Sequence, residues 1–145
     1  MTAFADASFL VAAFAPDDEH NRVAWRWWKR RDSGILASRL VVYEAENTLR
    51  GLPLNGRLNV NRARAAIEGM NRARLEGMIV LRDSPPHRLI PLARRLSQHH
   101  TTTATYGALD ILHVATALDL RADVFLSFDK RQRELAVMEA LHVAP

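Results

Sequence analysis

Four of the sixteen acidic residues fall where chemistry explains them as readily as folding does. Asp6 follows the apolar run Ala3-Phe4-Ala5, and Asp129 follows Val124-Phe125-Leu126-Ser127-Phe128. Both therefore stand at the carboxyl ends of candidate strands, the edge where open α/β sheets form their ligand crevice. Taken singly, each is also explained as the cap of the next helix, Asp6 ahead of Ser8–Ala13 and Asp129 ahead of 131–140. Glu44 lies in a helical stretch with Leu40 and Val41 before it and Asn47 and Thr48 after it. It has no basic neighbour at i±3 or i±4, whereas Glu46 has Arg50 at i+4 in the favourable order. Asp110 falls in the first turn of a helix, where the macrodipole favours a negative charge, and it too lacks a strong cation at i+3 or i+4. Four acids in one pocket repel one another and take up protons unless a cation is shared between them. An all-oxygen donor set suits Mg²⁺ or Mn²⁺. Such ions polarise a phosphodiester and activate water for in-line attack, which is hydrolysis without a cysteine, serine or histidine nucleophile.

Positioning those acids requires strand–helix alternation. The short apolar runs Thr2–Ala5, Gly34–Ala37, Met78–Leu81, Val124–Phe128 and His142–Ala144 read as buried strands of a parallel sheet. Between them the pattern predicts helices at Asn21–Asp32, Leu40–Leu52, Val60–Glu76, Pro86–His99, Ala108–Leu120 and Arg131–Ala140. Ile111, Val114, Ala115 and Leu118 recur at helical spacing and form a buried stripe, as do Ala63, Ala66, Ile67 and Met70. Pro85-Pro86 suits a helix entry, and Asp17, Asp18 and Glu19 suit the positive end of the next helix. The expected fold class is α/β, with one domain spanning residues 1–145.

The chain has no cysteine, which excludes disulfides, thiolate metal sites and thiol nucleophiles. Twenty basic residues face sixteen acidic ones, for a net charge of +4, and eighteen of the twenty are arginine. With the four candidate acids set aside, 20 basic residues against 12 acids leave +8 on the rest of the chain, a balance suited to an anionic partner. No stretch is long and apolar enough to span a membrane. The apolar start at Thr2–Ala15 lacks a basic leader and carries Asp6, so a cytoplasmic location is expected. Arg22, Arg26, Lys29 and Arg30 share one helical face, with Trp25 and Trp28 on another. A solvated basic face with the tryptophans as core or dimer anchors is the favoured reading, and phosphate contact with base stacking the other. Arg62, Arg64, Arg72 and Arg74 raise the same alternatives. His99, His100 and Thr101-Thr102-Thr103 read as a polar loop, and His113 as a packed helix residue.

Four segments carry a family likeness from end to end of the chain: Ala5-Asp-Ala-Ser-Phe-Leu-Val11, Tyr43-Glu-Ala-Glu-Asn-Thr-Leu49, Leu109-Asp-Ile-Leu-His-Val-Ala-Thr-Ala-Leu118 and Leu126-Ser-Phe-Asp-Lys-Arg-Gln132. Together they resemble the PIN-domain nucleases, in particular the VapC-type toxins of toxin–antitoxin pairs. The resemblance implies a three-layer α/β/α sandwich around a central, mostly parallel five-stranded sheet. It implies a Mg²⁺- or Mn²⁺-dependent endoribonuclease, a homodimer, an RNA substrate and inhibition by a cognate antitoxin protein. Carried over by position, the metal ligands are Asp6, Glu44, Asp110 and Asp129. Ser8 holds the first acid or a metal-bound water, and Asn47 supports the cleft. Ser127 stands where the family more often has threonine, which keeps the hydroxyl. An aspartate-based phosphatase fits less well, because position 8 is serine rather than a second acid. The alternative from another class is a catalytically weak PIN module that binds nucleic acid or a partner protein.

Overall fold

The computed structural model describes residues 1–31, 33–102 and 104–145. Its elements run β1 (Ala3–Ala5), α1 (Ala7–Phe14), α2 (Asn21–Trp28), β2 (Ile35–Ala37), α3 (Arg39–Gly51), a 3₁₀ turn (Leu52–Asn55), α4 (Val60–Leu75), β3 (Ile79–Leu81), α5 (Pro86–His100), α6 (Ala108–Asp119), β4 (Val124–Leu126), α7 (Lys130–Met138) and β5 (His142–Ala144). The strands form one sheet in the order β3-β2-β1-β4-β5. All four pairings are parallel, so the expected mostly parallel sheet is parallel throughout.

The order follows from two opposite walks across the sheet. From β1 the chain steps to β2 and β3 on one side, then crosses back to β4 and β5 on the other. Parallel crossovers are right-handed, so opposite directions of travel place their helices on opposite faces. Helices α1 to α4 pack among themselves, and α5 packs on α6, which packs on α7. These groups are the two outer layers. The strand order reverses between β1 and β4, whose departing loops turn away from each other and leave a crevice at their carboxyl ends.

The three-residue strands are apolar because both faces are covered: Ala3, Phe4, Ala5, Val124, Phe125 and Leu126 are all buried. The stripe on α6 is wider than its spacing predicts, since His113, Thr116 and Ala117 are buried as well. That helix lies between α5 and α7, and little of it is left for solvent. Gly34 is required where β2 begins. A Cβ there would lie 2.5 Å from the Gly77 carbonyl oxygen and 2.7 Å from Val80 Cγ2.

Helix α2 is shorter than expected. It closes at Trp28, where tighter bonds from Arg30 N–H to the Trp27 carbonyl and from Arg31 N–H to the Trp28 carbonyl unwind its last turn. Lys29 and Arg30 therefore lie beyond its last regular turn, while Asp32, the expected helix end, and Thr103 of the polar loop lie outside the described residues. Trp28 is buried and stacks on Phe9, and Trp25 meets Phe14 edge-on, so these tryptophans anchor α2 to the core. Among the described residues no helix is long and apolar enough to cross a membrane.

Candidate active site

The crevice at the β1/β4 reversal is built from the turns that leave those strands. Asp6 is the first residue after β1 and caps α1, accepting the Phe9 N–H at 2.9 Å. Asp129 follows β4 and caps α7 in the same way, accepting the Gln132 N–H at 3.0 Å. The capping role read from the sequence is thus real for both, and it fixes where each carboxylate points. Asp110, in the first turn of α6, accepts the Gly107 N–H at 3.0 Å. α6 enters β4 from above, so its N-terminus lies at the carboxyl edge with the other two.

Hydroxyls link these turns. The Ser8 hydroxyl lies 2.8 and 2.9 Å from the two Asp6 oxygens and accepts the Phe128 N–H at 2.8 Å. The Ser127 hydroxyl donates to Asp6 Oδ2 at 2.6 Å and accepts the Asp129 N–H at 2.9 Å. Each serine thereby locks the end of β1 to the turn after β4. Gln132, whose backbone Asp129 caps, donates its side-chain amide to Asp110 at 3.1 Å. Asp6, Asp129 and Asp110 thus belong to one hydrogen-bonded chain running through Ser127 and Gln132.

Asp6 is completely buried, and burial raises its carboxyl from 3.8 to about 6. Hydrogen bonds from Ser127, the Phe9 N–H and Ser8, with the nearby His113, hold it down only in part.

Glu44 reaches the same region from α3. The local sequence offers it no cation, but the fold supplies His113, whose Nε2 lies 2.5 Å from Glu44 Oε2. His113 is fully buried on α6, and its Nδ1 has no hydrogen-bond partner among the described residues. The sequence reading of Glu44 as unpaired is therefore corrected by a residue 69 positions away. His113 is a packed residue, as expected, and it also orients a candidate ligand.

A cavity of about 340 Å³ is lined by Ser8, Glu44, Asp129, Gln132, His20 and Arg57 among others, and by neither Asp6, which is buried beneath Ser8, nor Asp110. Thr48 lines it, while Asn47 is exposed on α3 and makes no hydrogen bond to any of the four acids. A larger cavity of about 970 Å³ lies beside α7 and β5 and is lined by none of them. The smaller one holds the candidate acids Glu44 and Asp129. Gln132, His20 and Arg57 are the site residues that the sequence reading missed. Only Gln132 left a signal: Asp129-Lys-Arg-Gln132 has the spacing of a capping box.

The donor set is oxygen only, which suits a hard divalent cation. Asp129 Oδ2 and Glu44 Oε1 accept no hydrogen bond among the described residues, and both side chains line the cavity. Among the described residues no three acidic or histidine side chains are gathered closely enough to hold an ion as they stand. The residues fit a divalent cation by type.

A family model of the PIN domain matches residues 3–138. The chain belongs to the PIN-domain family. Its fold is that of solved PIN structures. One is similar over 99% of this chain and 100% of its own, with 19% identity and a TM-score of 0.73: the Mycobacterium tuberculosis toxin VapC20, described as cleaving the sarcin–ricin loop. FitAB bound to a DNA fragment matches at 18% identity and a TM-score of 0.69, covering 99% of this chain and 94% of that one. FitAcB from Neisseria gonorrhoeae matches at 18% identity and a TM-score of 0.67, covering 99% and 97%. No curated protein sequence is significantly similar to this one. In this PIN domain the four candidate acids come from the β1–α1 turn, α3, the start of α6 and the β4–α7 turn.

Proposed function

We propose that this PIN domain is a Mg²⁺- or Mn²⁺-dependent endoribonuclease acting as the toxin of a toxin–antitoxin pair. The observation that supports this reading is that Glu44 and Asp129 line one cavity, while Asp6, Asp129 and Asp110 belong to one hydrogen-bonded chain at the carboxyl edge of the sheet. A divalent ion held by those four supplies Lewis acidity to phosphodiester hydrolysis. The protein's own work is positional. Ser8 and Ser127 hold Asp6, Gln132 holds Asp110, and His113 holds Glu44. Arg57, which has no ion-pair partner among the described residues, stands at the cavity wall to meet a phosphate. VapC20 is described as a sarcin–ricin loop cleaving toxin, and that neighbour supports the choice of RNA as substrate here.

Cleavage of structured RNA in Mg²⁺ or Mn²⁺ tests the proposal, with wild type beside Asp6→Ala and Asp110→Ala. The two variants should lose at least about 100-fold in rate, and equal cleavage by all three would refute it. The toxin assignment, with a homodimer and a cognate antitoxin as partners, predicts growth arrest on expression that a neighbouring small antitoxin gene relieves.

The second reading is a catalytically weak module that binds nucleic acid or a partner protein. It is favoured by the protein donors that already engage every one of the four acids. Calorimetry separates the two: absence of Mn²⁺ binding with retained RNA affinity favours the module.

A further inference from the structure

His20 sits at the end of a ladder of parallel rings that rises from the core to the mouth of the acidic cavity. Phe9, fully buried on α1, stacks on Phe128 with centroids 6.1 Å apart and planes 9° apart. Phe128 stacks on His20 at 4.3 Å and 4°. One face of the imidazole is therefore covered, yet the His20 side chain keeps 43% of its surface exposed. His20 lines the same cavity as Ser8, Glu44 and Asp129.

The backbone that carries the ring is anchored: the His20 backbone N–H donates to Asp18 Oδ1 at 2.8 Å, and its carbonyl accepts the Ala24 N–H as α2 begins. Its ion-pair partner among the described residues is the highly exposed Glu19, 3.5 Å from Nε2. Packing alone does not call for a flat ring here, since nearly half of it buries nothing. Arg22 and Arg26, on the helix that His20 opens, are exposed and have no ion-pair partner among the described residues. Arg57 stands on the cavity wall in the same condition.

A pre-oriented aromatic face beside guanidinium groups is the combination that binds single-stranded nucleic acid, through stacking of a base and attraction of the backbone. We propose that the outer face of His20 is a stacking platform for one unpaired nucleobase of the RNA, next to the bond presented to the acids. This deepens the ribonuclease reading and rests on it for the choice of RNA.

The test uses the full chain in EDTA and a short single-stranded RNA carrying one 2-aminopurine. Affinity and fluorescence quenching are measured for wild type, His20→Ala, His20→Leu and His20→Phe. Leucine keeps bulk against Phe128 without a π face, and phenylalanine keeps the face. The expected result is a loss of roughly 5- to 150-fold in affinity for the alanine and leucine variants, with quenching lost, and near wild-type behaviour for phenylalanine. Equal binding by all four proteins overturns the proposal. So does equal loss in all three variants, or leucine binding as well as phenylalanine. Because no metal is present, the titration reads the platform whether or not the chain cleaves RNA. A wild type that cleaves in Mn²⁺ but binds independently of the ring at position 20 overturns the stacking and leaves the nuclease standing.

Discussion

Asp6→Asn should stabilise the metal-free protein at neutral pH while abolishing its proposed activity. Asp6 is completely buried, and its carboxyl titrates at about 6 in the fold against 3.8 ordinarily. At about 1.4 kcal/mol per unit, keeping it ionised costs the native state about 3 kcal/mol above the folded value. The folded protein holds this proton longer than the unfolded chain does. Stability therefore falls as pH rises from 3.8 to about 6, and the full penalty stands above that. Below the window both states are protonated and the penalty vanishes. Asparagine is never charged, but it cannot accept from Ser8, Ser127 and the Phe9 N–H together. One contact must reverse or be lost, at about 1 kcal/mol. The net expectation is a gain of about 2 kcal/mol at neutral pH, or about 4–8 °C in Tm for a chain of this size. At about pH 3.5 the gain should disappear or reverse slightly. Urea and thermal unfolding in EDTA across this range measure it. A variant less stable than wild type at neutral pH, or a difference that does not change with pH, would refute the reasoning. Saturating Mn²⁺ should close the gap from the other side, adding about 2.7 kcal/mol to wild type at a hundredfold excess over Kd and little to the variant.

Two further outcomes are expected. His113→Leu removes the donor that orients Glu44, and should lower metal affinity and RNA cleavage by about 10–100-fold while RNA affinity in EDTA is unchanged. Calorimetry with Mn²⁺ beside a cleavage assay checks both halves. Arg88 on α5 grips Asp119 at the end of α6 through two bonds of 2.9 and 3.0 Å, and the first effect of that grip is to hold the Asp119 carboxyl below its ordinary range. Its stabilisation is present above the ordinary carboxylate pKa and is lost as pH falls through the lowered value. Arg88→Met should therefore unfold at lower temperature than wild type at neutral pH, with the two melting curves converging in acid.

Much of the site was legible in the sequence because short-range chemistry dictated it. Asp6 and Asp129 are readable as strand-end residues and as helix caps; both cap a helix, and Asp6 directly follows β1, while β4 ends at Leu126 rather than Phe128 and leaves Asp129 three residues beyond it. Glu46 was readable as the partner of Arg50, and it bonds that guanidinium at 3.0 Å. What failed was any inference that stopped at four residues' reach. Glu44 looked unpaired because a helix shows only its own i±4 neighbours, and His113 arrives from another helix. The basic face of α2 was drawn too long, because nothing in Trp28-Lys29-Arg30 announces the tighter turn that ends the helix. His20 lay among acids that suggested only helix electrostatics, and the ring beneath it, Phe128, lies 108 positions further along the chain.

The sequence by itself determined the alternation of buried strands with amphipathic helices, the residue types at the strand ends and the oxygen-only chemistry those types permit. These are local properties, fixed by hydrophobic periodicity, by caps and by the absence of cysteine. The tertiary structure decided which strand ends adjoin. Only the reversal of the strand order between β1 and β4 sets Asp6 beside Ser127, buries its carboxyl deeply enough to raise it to about 6, and leaves an open cavity between Asp129, Glu44 and His20. The physical reason is that the direction of each crossover depends on how whole helices pack against the sheet, and no single segment carries that information.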